Sequence, residues 1–81
     1  MPKYKFQKGT KVRVTNIEDK TAEELFSYIG HEGTVVGYEV IPFPEDKPFI
    51  LYYVEFIFQY ENEPEVDVTA FMEEELELVK R

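Results

Sequence analysis

The sequence has no cysteine and no tryptophan, and only one histidine among its 81 residues. Without cysteine the chain cannot form disulfides or thiolate metal sites, so a secreted domain held together by disulfides is not expected. The longest apolar run, FILYYV, is too short to span a bilayer, and no apolar run follows the first basic residues as in a signal peptide. We therefore expect a soluble cytoplasmic protein without membrane insertion.

The length and the hydrophobic content indicate a single folded domain spanning residues 1–81. Hydrophobic residues make up 43% of the chain and aromatic residues 16%, all of them phenylalanine or tyrosine. This content rules against disorder, and a chain of this length has no room for a second core. Residues 1–8 precede the first predicted strand and are expected to form a flexible N-terminus.

Charge is distributed unevenly along the chain, whose formal net charge is −8. Residues 1–20 carry six lysines or arginines and two acids, whereas residues 21–81 carry three bases and fifteen acids. The segment from Pro48 to Val79 contains nine acids and no base. Because affinity for phosphates comes from lysine and arginine, direct binding to nucleic acid is not expected, and the favoured ligand is a basic protein.

The alternation of apolar and polar residues predicts five strands. They are placed at residues 10–17, 33–41, 49–60, 65–71 and 76–79, with a bulge at Gly37. A single helical turn is expected in the MEEE segment before the last strand. From this alternation we expect the following side chains to be buried: Val12, Val14, Val35, Val54, Phe56, Val68 and Leu76.

The segment between the first two strands changes to a helical pattern. Thr21 and Glu24 have the spacing of a capping box, and Gly30 is typical of the residue that ends a helix. We expect a short helix beginning near Thr21 that packs on the sheet through Leu25, Phe26 and Ile29. Five short strands with one helical insertion favour a small antiparallel barrel, because closing a sheet removes its exposed edges.

Four segments in sequence order, KGTKVRV, GHEGTVVGY, YYVEF and AFMEEELELV, resemble the barrels of a small accessory protein of photosystem I and of the ferredoxin–thioredoxin reductase variable chain. The resemblance covers roughly residues 8–80. It implies a mainly β fold, a five-stranded antiparallel SH3-like barrel with a short helical insertion between strands 1 and 2. It also implies docking to the acidic protein ferredoxin through basic residues, which here would be Lys3, Lys5, Lys8, Lys11 and Arg13.

No catalytic, cofactor or metal site is expected from the sequence, and we interpret the chain as a protein that is not an enzyme. His31 lies in a predicted turn, and no partner that would orient it can be named. The nearby glycines are expected to serve backbone turns. Carboxylates at alternate positions of one strand point the same way and form a row, which does not converge into a metal cage.

The most distinctive motif is the series of acids in the last third of the chain. Val66 and Val68 are expected to point into the barrel, so Glu65 and Asp67 should point outward. With the acids that follow, they are predicted to form one continuous face that binds a partner. Its residues are Glu61, Glu63, Glu65, Asp67, Glu73, Glu74, Glu75 and Glu77.

Three interpretations of these acids are open. They are a solvated surface that prevents aggregation, or a row that imitates a phosphate backbone in a DNA-mimic inhibitor of a nucleic-acid-binding protein. In the third, the acids have no docking role, and the chain is a small peripheral subunit of a ferredoxin-linked photosynthetic or redox complex. A homodimer through the face that carries Tyr53 and Ile57 is also open.

Overall fold

Five antiparallel strands and two short 3₁₀ helices make up the computed structural model, which describes residues 4–80. The predicted strands are all present, and the third has the predicted bounds. The strands are β1 (Lys11–Val14), β2 (Glu32–Ile41), β3 (Phe49–Tyr60), β4 (Glu63–Met72) and β5 (Leu76–Leu78). The first 3₁₀ helix is Glu23–Tyr28 and the second is Glu73–Glu75, where the single helical turn was predicted.

The strands form one sheet in the order β4-β3-β2-β1-β5. Within residues 4–80 no pairing joins β4 to β5, so the sheet is open and the predicted closure into a barrel is wrong. The reason lies in the strand lengths. β5 has three residues and pairs with β1, whereas β4 is held along its whole length in a ladder of ten residue pairs with β3. The mainly β, five-stranded antiparallel architecture is confirmed.

The pairing of β2 with β3 includes the predicted bulge, because the register shifts between Val35 and Gly37. Gly33 marks a close approach of the same two strands. A Cβ atom at Gly33 would lie 2.7 Å from the carbonyl oxygen of Glu55 and 2.6 Å from a methyl carbon of Val54. Only glycine fits at this crossing.

The hydrophobic core lies on one face of the sheet and confirms six of the seven predicted core residues. The exception is Val68, which is exposed. Four large core side chains were not predicted to be buried, and they are Phe6, Ile17, Tyr52 and Phe71. The buried residues are Phe6, Val12, Val14, Ile17, Val35, Tyr52, Val54, Phe56, Phe71 and Leu76, together with Glu75.

The part of the N-terminus that the structure describes packs on this core. Phe6 is buried, and its ring meets that of Tyr52 edge-on. The backbone N–H of Lys5 donates a hydrogen bond to the Tyr52 hydroxyl at 2.8 Å, and Tyr4 stacks on Tyr38. The expectation of a flexible segment over residues 1–8 did not anticipate this packing; residues 1–3 lie outside the described residues.

The first 3₁₀ helix begins differently from the prediction. The backbone N–H and the hydroxyl of Thr21 both donate to the carboxylate of Asp19, at 2.9 and 2.6 Å. These two bonds lower the pKa of Asp19. The predicted capping box with Glu24 is not formed, and Ala22 occupies the N-cap position. The helix ends as predicted, because Gly30 follows it with a positive φ of 90°.

The face that this helix packs on the sheet also differs from the prediction. A 3₁₀ helix has three residues per turn, so side chains three apart share a face. Ala22, Leu25 and Tyr28 accordingly pack against the core, and the Tyr28 ring contacts aromatic rings of β3 and β4. Phe26 and Ile29, chosen on α-helical spacing, are exposed, so only Leu25 of the predicted contacts is confirmed.

The hairpin formed by β3 and β4 extends beyond the core and gives the molecule principal extents of 47 × 29 × 19 Å. Along β3, Phe56 is buried, Phe58 is half-buried and Tyr60 is exposed, so burial fades toward the end of the hairpin. Among the described residues, no helix is long and apolar enough to cross a membrane.

Candidate functional site

The two faces of β4 are reversed relative to the prediction. Asp67 lies opposite Phe56 and Glu65 opposite Phe58, which places both acids on the face of the sheet that carries the core. Val66 and Val68 lie on the outer face and are 58% and 49% exposed. The expectation that the valines point inward and the acids outward is therefore wrong.

Phe71 accounts for this reversal. Its side chain is fully buried at the end of β4, and residues two apart on a strand share a face. The choice of Phe71 for the core assigns Thr69, Asp67 and Glu65 to the same side. Burying one phenylalanine removes more apolar surface from water than burying a valine, and a one-residue shift in phase exchanges every side chain between the faces.

Four of the predicted partner-binding acids do lie together, at the free end of the β3–β4 hairpin. Glu63, Glu65 and Asp67 share one face of β4 at intervals of roughly 6.8 Å, and Glu61 occupies the adjacent turn. Glu61, Glu63 and Glu65 are exposed. We call Glu61, Glu63, Glu65 and Asp67 the tip row. Both ion pairs found in residues 4–80 belong to Arg13, so the tip row has no cationic partner there.

Asp67, at the inner end of the tip row, also has a structural role. Its carboxylate accepts a hydrogen bond from the Tyr28 hydroxyl, and the Thr69 hydroxyl lies 3.2 Å from the Tyr28 oxygen and 3.4 Å from the carboxylate. The bond to Asp67 raises the pKa of Tyr28. This contact fastens the first 3₁₀ helix to β4 and half-buries Asp67.

A groove lined by aromatic rings adjoins the tip row, with a volume of about 550 Å³. Tyr28, His31, Phe58 and Tyr60 form its aromatic part, and Glu65 is among its acidic residues. The His31 ring meets the Phe58 ring edge-on, with ring centres 5.3 Å apart. Carboxylates beside aromatic faces are a favourable environment for lysine and arginine side chains. The sequence did not predict this groove, because its residues come from three separate segments.

The other four predicted acids lie at the opposite end of β4. Ten residues separate Glu63 from Glu73, and an extended strand of that length covers roughly 30 Å. The predicted continuous face of eight carboxylates is therefore divided into two groups. Glu73 is half-buried and Glu74 is exposed, while Glu75 and Glu77 are engaged in contacts of their own.

Glu77 belongs to a network of charges around Arg13 on β1. The guanidinium donates to Glu77 at 2.8 Å and to Glu32 at 2.9 Å, and these bonds raise the pKa of Arg13. The three residues lie opposite one another on neighbouring strands. Glu77 is thus charge-compensated, and Arg13 is engaged by two acids.

Glu75 is buried, at 4% exposure. One carboxylate oxygen accepts the backbone N–H of Met72 at 2.7 Å, and the other accepts that of Glu18 at 2.8 Å. Glu75 therefore stabilises the fold, and its predicted place on an exposed binding face is wrong. Its position three residues after the N-cap Met72 is that of the acid in a capping box, which is the one local signal for this role.

Within residues 4–80, no cluster of three or more histidine, aspartate or glutamate side chains is arranged to hold a metal ion. No protein-family model matches the chain, and no curated protein or solved structure matches it. The tip row and its adjoining groove are the candidate site that retains the largest number of the predicted acids.

Proposed function

We propose that this protein is a non-catalytic binding protein that docks on a basic partner protein through the tip row. One observation carries the proposal: Glu61, Glu63 and Glu65 are exposed at the end of a protruding hairpin, and no cation within residues 4–80 pairs with them. Charges concentrated at a projecting end steer a partner of opposite sign during diffusional encounter. The adjoining aromatic groove adds a surface on which arginine or lysine side chains can rest.

We infer that the partner is a nucleic-acid-binding protein and that the tip row acts as a DNA mimic that inhibits it. Alternate carboxylates on β4 are roughly 6.8 Å apart, about twice the 3.4 Å spacing of charges along one DNA strand. A groove built for phosphates would present a lysine or arginine to each of these carboxylates. We place this inhibition in the cytoplasm, since a chain without cysteine suits a reducing compartment.

We also propose that the sheet is an open member of the SH3-like group. The antiparallel pairing of β1 with both β2 and β5 and the one-turn 3₁₀ helix before β5 support this assignment. The resemblance that suggested this group implies docking to ferredoxin through bases instead. Arg13 is engaged by two acids and Lys3 lies outside the described residues, so this alternative depends mainly on Lys5, Lys8 and Lys11.

The proposal is tested by capturing a partner from a lysate at low salt and then adding duplex DNA. The partner should be basic, should be released by duplex DNA, and should not be captured by the E61K/E63K/E65K variant. A matched control, E23K/E45K/D46K, makes the same change in net charge at three exposed acids away from the tip row. Capture that fails equally with both variants, or that persists in excess DNA, would exclude the mimic.

A further inference from the structure

A cleft of about 880 Å³ lies at the end of the β3–β4 hairpin that is remote from the tip row. This volume is within the range of about 300–1,000 Å³ that ligand sites occupy. The cleft lies between the 42–48 turn, the start of β3 and the end of β4. Its apolar walls are formed by Val40, Pro44, Pro48, Phe49, Ile50 and Met72.

Charged side chains line the same cleft and give it a negative balance. Glu18, Glu73 and Glu74 contribute carboxylates, and Lys47 contributes the single ammonium group among the lining residues. None of these carboxylates has an ion-pair partner within residues 4–80. The Glu18 carboxylate accepts a hydrogen bond from the Asn16 side chain at 3.2 Å. The cleft therefore combines an apolar interior with an excess of two negative charges.

Buried Glu75 holds two sides of this cleft together. Its carboxylate binds the backbone N–H groups of Glu18 and Met72, which come from different segments and both line the cleft. Its own carbonyl oxygen accepts the N–H of Thr15 at 2.9 Å. Burying a carboxylate without a cation is costly. The contacts made in return fix the Glu18 segment relative to the end of β4, which preorganises the cleft.

We propose that this cleft is a second binding site, which accepts an arginine side chain from an extended, largely apolar segment of a partner protein. Arginine combines an aliphatic stem with a guanidinium that forms paired hydrogen bonds to carboxylates and stacks on aromatic rings. The stem fits the walls around Phe49 and Met72, and the guanidinium fits Glu73 and Glu74. This inference does not depend on the tip row, which lies roughly 30 Å away along β4.

The test uses two blocked pentapeptides as probes, acetyl-Ala-Leu-Arg-Leu-Ala-amide and the same peptide with glutamate in place of arginine. Nuclear magnetic resonance titration of the isotopically labelled full chain reports which backbone amides shift. The arginine peptide should shift amides of the cleft residues, and the glutamate peptide should not. In the E73Q/E74Q variant, which keeps side-chain size but removes both charges, the affinity for the arginine peptide should fall about tenfold or more.

Two further variants make the result specific. E61Q/E63Q/E65Q should leave the arginine-peptide affinity within about twofold, because screened charges this distant contribute little. E75Q should weaken binding while the spectrum retains the dispersion of a folded protein. Shifts centred on the tip row, equal binding of both peptides, or unchanged affinity in E73Q/E74Q would overturn the proposal. Because the cleft and tip-row variants are separate, failure here leaves the tip-row docking proposal to its own test.

Discussion

Replacing Glu75 by alanine should remove a large part of the stability of this protein. The substitution eliminates a carboxylate that accepts the backbone N–H groups of Met72 and Glu18 at 2.7 and 2.8 Å. Hydrogen bonds to charged groups contribute about 1.5–3 kcal/mol each. Relief of the desolvation of the buried carboxylate offsets part of this loss, so we expect a net cost of about 2–4 kcal/mol. Domains of this length have unfolding free energies of roughly 4–12 kcal/mol.

The assay is urea unfolding followed by far-ultraviolet circular dichroism, since the chain contains no tryptophan. With a slope near 1 kcal/mol per molar urea, the midpoint should fall by about 2–4 M. Glutamine at position 75 retains one acceptor oxygen and should lose about half as much. Alanine at the exposed neighbour Glu74 should change the unfolding free energy by less than about 0.5 kcal/mol. If the alanine variants at positions 75 and 74 unfold at the same urea concentration, the structural role of Glu75 is refuted.

Two other predictions concern the sheet and its contact with the first 3₁₀ helix. Gly33→Ala should destabilise the protein by about 1–3 kcal/mol or more, because its Cβ would overlap the β3 backbone. Gly37→Ala, where the nearest side-chain atom is 4.0 Å away, should be tolerated, and equal urea midpoints for the two variants would contradict this reading. The pKa of Tyr28 is raised above its usual value near 10 by the bond to Asp67, so its stabilising contribution is present below pH 10 and is lost as the pH rises through the folded-state pKa. The difference in unfolding free energy between wild type and Tyr28→Phe should therefore shrink between about pH 9 and pH 11, and a constant difference would argue against the Tyr28–Asp67 contact.

Much of the strand pattern was predictable from local alternation, because β1, β2 and β3 each place small or aromatic apolar residues at every second position of the core face. The same reasoning chose the wrong face of β4. Val66 and Val68 alternate with acids as residues of a half-buried strand do, but Phe71 at the end of the strand sets its phase. Local hydrophobicity does not rank one phenylalanine against two valines.

The candidate site was predictable only where it is local. Glu61, Glu63 and Glu65 follow one another through a hairpin, so their proximity follows from the turn itself. The separation of Glu73 from this group depends on the length over which β4 stays straight and paired. Nothing in the run of three glutamates distinguishes Glu75, because its partner at Glu18 lies 57 residues earlier in the chain.

The central claim is that the tip row provides the docking charges. It is tested most directly by the association rate constant with the captured partner at about 50 mM and about 500 mM salt. Exposed charges are screened over a few ångströms at the higher concentration. Wild type and E23K/E45K/D46K should therefore associate rapidly at low salt and slow steeply at high salt. E61K/E63K/E65K should associate at least about tenfold more slowly at low salt and respond little to salt, with an unchanged circular dichroism spectrum. Equal rates for the tip-row and control variants, or loss of association on replacing Lys5, Lys8 and Lys11 instead, would contradict the claim.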